Sequence, residues 1–185
     1  YRFLLLTPRQ LLDLQEVDMH LTDLHMLEKR ETYCALGSWQ KIKDAQRLLI
    51  ATSLGVARGY PLRILRDSIE APVPLRLDHP LPGEPVSLFG VNSDDELLLL
   101  TRAGRGTRWP VRALDISGTQ VVNCGKEDRV RLALPVQAGE EVVLITEDGY
   151  GRRLLPEWVP FPERPNQKAR SLIARRSDLA SAGSD

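Results

Sequence analysis

The sequence predicts an all-β fold made of repeated antiparallel hairpins. One stretch occurs three times without gaps, at residues 46–65, 95–114 and 140–159. In each copy a short apolar run, the right length for a buried strand and too short for a helix, ends at a threonine. A glycine follows three positions later, where a hairpin turn needs a positive φ. The copies recur every 45 to 49 residues, a period typical of propeller-like or solenoid arrays.

The copies agree at particular positions. The residues that coincide are the threonines Thr52, Thr101 and Thr146, the glycines Gly55, Gly104 and Gly149, and the final apolar residues Leu65, Leu114 and Val159. Pro61 and Pro110 also coincide. Because proline cannot donate to a ladder, we expect Pro110 to end the second strand of its hairpin or to lie on its edge. A fainter fourth copy opens the chain at Phe3–Thr7.

The first part of the chain leaves one alternative open. Tyr1–Thr7 is predicted to be a strand. Gln10–Leu27 has apolar residues at helical spacing, but a second strand of a degraded hairpin fits as well, and we favour a strand near Leu12. Glu31–Leu36 alternates and is predicted to be a strand, and Trp39 is predicted to pack at the core or its rim.

The remaining elements follow from apolar runs separated by turn residues. The clear hairpins are Leu48–Ala51 with Val56–Tyr60, Leu97–Leu100 with the segment that ends at Pro110, and Glu141–Thr146 with Tyr150–Leu155. Further strands are predicted at Val73–Leu77, Val86–Val91, Val121–Cys124 and Val130–Leu134. We expect the segment of Arg63, Arg66 and Asp67 to be a solvated connection.

The composition changes near the end of the chain. Prolines cluster at 160, 162 and 165, and basic residues follow. We therefore predict a repeat domain at residues 1–163 and a polar, basic tail at 164–185, which is partly disordered around Ser181–Asp185.

No arrangement of residues in the sequence predicts catalysis. His20, His25 and His79 lack a partner set for a metal, and Asp94 and Asp95 lie in a predicted turn. The cysteines Cys34 and Cys124 lack CxxC spacing and are expected to be reduced and buried, with a disulfide as the alternative. Neither a P-loop nor a dinucleotide-binding fingerprint occurs. We expect no enzyme activity, no catalytic residue, no metal and no cofactor.

The composition also limits the partners. The chain has 185 residues and a formal net charge of zero, so a nucleic-acid partner requires its arginines to gather on one face. The longest apolar runs have four or five residues, which predicts no transmembrane helix and no membrane partner.

The repeat resembles the blade motif of a known domain, the C-terminal domain of gyrase A and of its topoisomerase IV counterpart. The closest stretch is Val142–Arg153, and the turns at Leu81–Glu84 and Ala138–Glu141 fit the Pro-Gly-Glu or Glu-Gly-Asp turns of that family. The resemblance implies a β-pinwheel, a propeller-like array, here with about four blade-like repeats. The sequence departs from the gyrase version because it lacks the basic, glycine-rich box.

The resemblance implies a non-catalytic role. We expect sequence-independent binding or bending of duplex DNA through its phosphate backbone, alongside the remainder of a type II topoisomerase, in the bacterial cytoplasm at the nucleoid. The catalytic tyrosine region of these enzymes has no counterpart in the chain. The alternative is a protein-interaction scaffold that has kept the fold and lost DNA binding; zero net charge and the missing box favour it.

Arginines are the candidate DNA-binding residues, because several recur at equivalent positions of successive hairpins. On a circular array such positions trace one edge, which gives a curved basic stripe. The predicted set is Arg58, Arg63, Arg66, Arg102, Arg105, Arg108, Arg112, Arg152 and Arg153.

Overall fold

The protein is described from a computed structural model, in which residues 2–3, 31–70, 75–77, 80–172 and 179–184 are placed. The strands are β1 (Arg2–Phe3), β2 (Arg47–Thr52), β3 (Val56–Pro61), β4 (Leu75–Arg76), β5 (Pro85–Val91), β6 (Glu96–Thr101), β7 (Arg105–Pro110), β8 (Thr119–Gln120), β9 (Val130–Val136), β10 (Val142–Thr146), β11 (Gly151–Leu154), β12 (Arg170–Ser171) and β13 (Leu179–Ser184). The helices are α1 (Trp39–Ile42) and α2 (Leu62–Glu70), with single 3₁₀ turns at Val111–Ala113 and Pro156–Trp158.

The described strands form four antiparallel sheets. The first blade has the strand order β5-β2-β3-β8, the second blade β9-β6-β7-β12 and the third blade β13-β10-β11, while β1 pairs with β4 in a two-stranded sheet. Each blade is centred on one of the three predicted hairpins. The all-β class of repeated antiparallel blades is thereby confirmed, and the described residues form three blades and one two-stranded sheet.

The blades are interlocked, because the chain goes back to each blade after starting the next. After the hairpin β6–β7 of the second blade, the chain returns to the first blade and adds β8 beside β3. After the hairpin β10–β11 of the third blade, it returns to the second blade and adds β12 beside β7. The chain therefore runs from each blade to the next and back again, and these connections determine the order of the blades in the array.

The threonine and glycine of each repeat occupy equivalent places. In each hairpin the threonine hydroxyl accepts a hydrogen bond from the amide four residues on: Val56 to Thr52 at 3.3 Å, Arg105 to Thr101 at 3.3 Å and Tyr150 to Thr146 at 3.0 Å. The glycine amides donate to the threonine carbonyls at 2.9, 3.0 and 2.9 Å, and the glycines have φ of +81°, +68° and +80°. The prediction that these residues superimpose, with glycine in the turn, is confirmed.

Apolar side chains fill the space between consecutive blades. In the central strands β2, β6 and β10, successive side chains point to opposite faces of the blade, and these faces pack against neighbouring blades. Leu49 and Ala51 of the first blade pack with Leu97 and Leu99 of the second. Leu98 and Leu100 of the second blade pack with Val142 and Leu144 of the third. The equivalent residues of the third blade, Val143 and Ile145, are 44% and 43% exposed.

The strands β5, β9 and β13 lie on the inner side of the array. β5 contacts β9 of the next blade, and β9 contacts β13 of the blade after it. Blades converge where these strands meet, so the opposite side, formed by β3, β7 and β11 with the short strands β8 and β12, is the outer side.

Two segments have a structure different from the predicted one. Residues 62–70 form α2 instead of a solvated connection, because Leu62, Leu65 and Ile69 lie on one helix face and are buried. Arg63 and Arg66 are exposed on the other face of the helix, as expected for residues of a solvated segment. Glu31–Leu36 was predicted to be a strand, and this is wrong: the segment has no regular structure and most of it is exposed.

The strand predicted at Val121–Cys124 is also wrong in its bounds. The ladder of β8 covers Thr119–Gln120 and then stops, because the amides of Val121 and Val122 both donate to the carbonyl of Gly55 instead. Val122 makes one isolated bridge to Gln167.

The predicted tail contributes strands to the array. Within it, β12 pairs with β7 of the second blade and β13 pairs with β10 of the third, so the expectation of disorder at Ser181–Asp185 is wrong for the backbone of Ser181–Ser184. The alternatives for Gln10–Leu27, together with His20, His25 and His79, lie outside the described residues.

Candidate nucleic-acid interface

The nine predicted arginines do not form one stripe. Those on the second strands of the hairpins divide between the turn end and the open end of these strands, which in a six-residue strand lie roughly 17 Å apart. One of them is buried. The expectation of a single curved edge is therefore wrong.

Arg108 is a structural residue. It is 8% exposed, its Nη1 lies 2.7 Å from Oε2 of Glu96, and its Nε donates to the carbonyl of Val159 at 3.0 Å. Its guanidinium also lies 4.1 Å from the ring centroid of Phe161. Arg108 is therefore not part of an exposed basic stripe as predicted, because the third blade and the segment after it cover this part of β7.

Arg58 is half-buried on β3. Its guanidinium lies over the ring of Tyr60 at 4.4 Å from the centroid, and its Nε is buried with no hydrogen-bond partner among the described residues. Burial raises the pKa of Tyr60, and the nearby charge of Arg58 opposes that rise. The stacking leaves less of the Arg58 guanidinium available to a ligand than a fully exposed side chain offers.

Arg105, Arg152 and Arg170 lie on the outer strands near the border of the second and third blades, and we call them the outer-edge patch. Ser171 is opposite Arg105, and Arg170 is opposite Gly106, in the β7–β12 ladder. The Nη1 of Arg152, from the third blade, donates to the carbonyl of Leu172, the residue that follows β12. The patch therefore spans the border of the second and third blades.

The side chains of the outer-edge patch are all exposed. No salt bridge joins Arg105 or Arg170 to another of the described residues. No carboxylate of the described residues therefore neutralises their charge, which favours attraction of an incoming anion. Arg170 is the residue that sequence reasoning missed, because nothing in the local sequence shows that the last segment returns to pair with β7.

Arg102 and Arg153 flank this patch. Arg102 is exposed in the turn of the second hairpin. Arg153 lies on β11 and pairs with Glu141, with 3.3 Å between Nη1 and Oε2; the two side chains are 72% and 51% exposed. A partly neutralised, solvated arginine of this kind attracts phosphate less strongly than an unpaired one.

Arg63, Arg66 and Arg112 lie at the other end of the hairpins. Arg63 and Arg66 line a depression of about 650 Å³ at the open end of the first hairpin. Arg112 lies at the equivalent end of the second hairpin, beside a smaller depression of about 380 Å³ that is also lined by Asp94, Asp95 and Glu96. These carboxylates place negative charge next to Arg112.

The described residues hold no other arrangement with reactive chemistry. Among them, no three His, Cys, Asp or Glu side chains are close enough to share a metal ion. Cys124 is half-buried, and burial is the main cause of its raised thiol pKa, whereas Cys34 is exposed, so the expectation of two buried thiols is wrong for Cys34. No helix in the described part of the chain is long and apolar enough to cross a bilayer.

Comparison with known proteins supports the fold assignment. The gyrase A protein of Dehalogenimonas lykanthroporepellens is 24% identical over 149 residues, which cover 78% of this chain and 18% of that protein. No protein-family profile matches the sequence.

Solved structures give the same result. The gyrase A C-terminal domain superimposes with a TM-score of 0.69 at 15% identity, covering 92% of this chain and 59% of that domain. The C-terminal domain of DNA topoisomerase IV gives 0.61 at 16% identity, covering 77% and 47%. The chain therefore has the β-pinwheel fold of gyrase A-type C-terminal domains, which confirms the resemblance seen in the sequence, and it spans about half the length of these solved domains.

Proposed function

We propose that the protein is a non-catalytic accessory domain of a type II topoisomerase that binds duplex DNA without reading its sequence. The observation that carries this proposal is the outer-edge patch. Arg105 and Arg170 are exposed and form no salt bridge among the described residues. They lie at adjacent register positions of the β7–β12 ladder, one on each face of it, on the outer side of a pinwheel whose relatives are named as gyrase and topoisomerase IV domains.

The chemistry of the patch favours the DNA backbone over the bases. Guanidinium groups on exposed strands offer several donors each and match the spacing of phosphate oxygens. The patch spans two blades, so it presents charge along a curved outer side instead of presenting a helix or ribbon to a groove. Such contacts fix position on the duplex and carry no sequence information.

Two observations favour the alternative, a protein-interaction scaffold. The formal net charge is zero, and Val143 and Ile145 leave an apolar patch exposed on the third blade. A scaffold uses the pinwheel to hold another protein and needs no unpaired arginine on the outer side.

Fluorescence anisotropy with two duplexes of unrelated sequence distinguishes these functions. We expect both duplexes to bind the full chain with equal affinity, on the order of micromolar at moderate salt, and with a steep salt dependence. Absence of binding to either duplex at low salt would contradict DNA binding and favour the scaffold. A large affinity difference between the two duplexes would contradict sequence independence.

A further inference from the structure

The three blades carry different charges at two equivalent positions at the open ends of their hairpins. The first position is Arg47, Glu96 or Glu141, and the second is Arg63, Arg112 or Glu157, in the first, second and third blade respectively. The first blade therefore has two positive charges there, the second has one of each sign, and the third has two negative charges. A repeat that served only to hold the fold together would not require this gradient.

In the second and third blades the glutamate at the first position pairs with an arginine on the neighbouring strand. Glu96 pairs with Arg108 at 2.7 Å and Glu141 pairs with Arg153 at 3.3 Å. In the first blade both partners are changed. Arg47 replaces the glutamate, and Gly59 replaces the arginine, so the cross-strand pair is absent.

This replacement leaves room as well as unpaired charge. A Cβ added to Gly59 would lie 3.0 Å from Cδ of Arg47, so the side chain of Arg47 extends over the bare backbone of Gly59. The depression of about 650 Å³ is lined by Arg47 at this point and by Arg63 and Arg66 of α2. Of the described residues that line it, Asp67 is the one carboxylate, against three guanidinium groups.

The wall of the depression is held in place by hydrogen bonds. The amide and hydroxyl of Ser93 donate to Oε1 of Gln46 at 2.9 and 2.7 Å, which ties the loop before β6 to the start of β2. The Nη2 of Arg66 donates to the carbonyl of Lys43. Neither Arg47 nor Arg63 forms a salt bridge with any other of the described residues.

We infer that this depression, the first-blade site, binds a phosphate group through Arg47, Arg63 and Arg66. Three guanidinium groups around one concave surface provide more donors than Asp67 can use, and a tetrahedral phosphate oxyanion accepts such donors in pairs. The inference goes beyond the proposed function, because the site lies at the open end of the hairpins and not in the outer-edge patch. The phosphate can belong to a small phosphorylated molecule or to a nucleic-acid backbone.

Isothermal titration calorimetry of the full chain with pyrophosphate at low salt tests the site. We expect saturable binding that becomes roughly tenfold weaker in Arg63→Gln and in Arg47→Gln, because each loses charged hydrogen bonds to the ligand. Arg112→Gln is the matched control, since it removes the same charge at the equivalent position of the second blade. It should leave binding unchanged, as should Arg131→Gln, which removes an exposed charge on β9, away from both the first-blade site and the outer-edge patch.

Two further measurements keep the result unambiguous. Arg47→Lys retains the charge and loses the planar fork, so it should also weaken binding if Arg47→Gln fails to fold. Competition by a duplex oligonucleotide identifies the source of the phosphate. Displacement of pyrophosphate indicates a nucleic-acid backbone, and no displacement indicates a small ligand. Both results are consistent with phosphate binding at the first-blade site. Absence of binding by the unmodified chain, or equal weakening by Arg112→Gln, would overturn the inference.

Discussion

Arg108 and Arg153 occupy equivalent positions in successive hairpins and form the same cross-strand ion pair in different surroundings. The pair of Arg108 with Glu96 is covered by the third blade, whereas the pair of Arg153 with Glu141 faces solvent. We expect Arg108→Ala to lower the free energy of unfolding by on the order of 3 kcal/mol, because it leaves a shielded carboxylate without its partner. Arg153→Ala should cost less than about 1 kcal/mol. Urea unfolding of the two variants measures the difference, and equal costs would contradict the burial described.

A second pair of equivalent residues tests whether the third blade has an uncovered face. Leu100 is buried against the third blade, and Ile145 is 43% exposed at the same position of the next repeat. We expect Leu100→Ala to cost about 2–5 kcal/mol of stability and Ile145→Ala less than about 1 kcal/mol. Thermal or urea unfolding gives both values. A large cost at Ile145 would show that this face is covered in solution.

The turn glycines give a third test. Gly55 and Gly149 have nearly the same φ, +81° and +80°. A Cβ at Gly149 would meet nothing within 4 Å, but at Gly55 it would lie 2.5 Å from the carbonyl oxygen of Val122. Gly149→Ala should therefore cost about 1–2 kcal/mol for the left-handed backbone alone. Gly55→Ala should cost clearly more, since the backbone of Val122 must move; similar costs in urea unfolding would refute the close approach.

Glu157 makes stability depend on pH. Hydrogen bonds from its own amide and from the amide of Gly139, at 2.5 Å in the second case, lower its carboxyl pKa. A lowered folded-state pKa stabilises the protein above the unfolded-state pKa, and this contribution is lost as pH falls through the folded-state pKa. Unfolding measured across the acidic range should show a smaller loss on acidification in Glu157→Gln than in the unmodified protein. An unchanged pH profile would argue against these hydrogen bonds.

The sequence predicted the parts of the fold that depend on local chemistry. Thr101 and Gly104 determine their turn through contacts within four residues, so their roles could be recognised from spacing alone. The burial of Arg108 could not be, because it depends on the carbonyl of Val159, 51 residues further along the chain. Arg170 was missed as a site residue for the same reason: its place beside β7 depends on the chain returning to an earlier blade.

The sequence did not identify α2 as a helix, because two patterns overlap in this segment. Leu62, Leu65 and Ile69 have helical spacing, but Arg63, Arg66 and Asp67 between them indicated a solvated connection. Burial of the apolar face against the first blade decides in favour of the helix. The same helix carries Arg63 and Arg66 to the first-blade site.

Binding of DNA phosphates by the outer-edge patch can be measured through the salt dependence of DNA affinity in two matched variants. Arg105→Gln/Arg170→Gln removes two charges from the patch, and Arg112→Gln/Arg131→Gln removes two exposed charges elsewhere. The slope of log affinity against log salt should flatten by nearly two units in the first variant, about 0.9 for each lost contact, and stay unchanged in the second. Equal slopes in both variants and the unmodified protein would contradict the binding of DNA phosphates by the outer-edge patch.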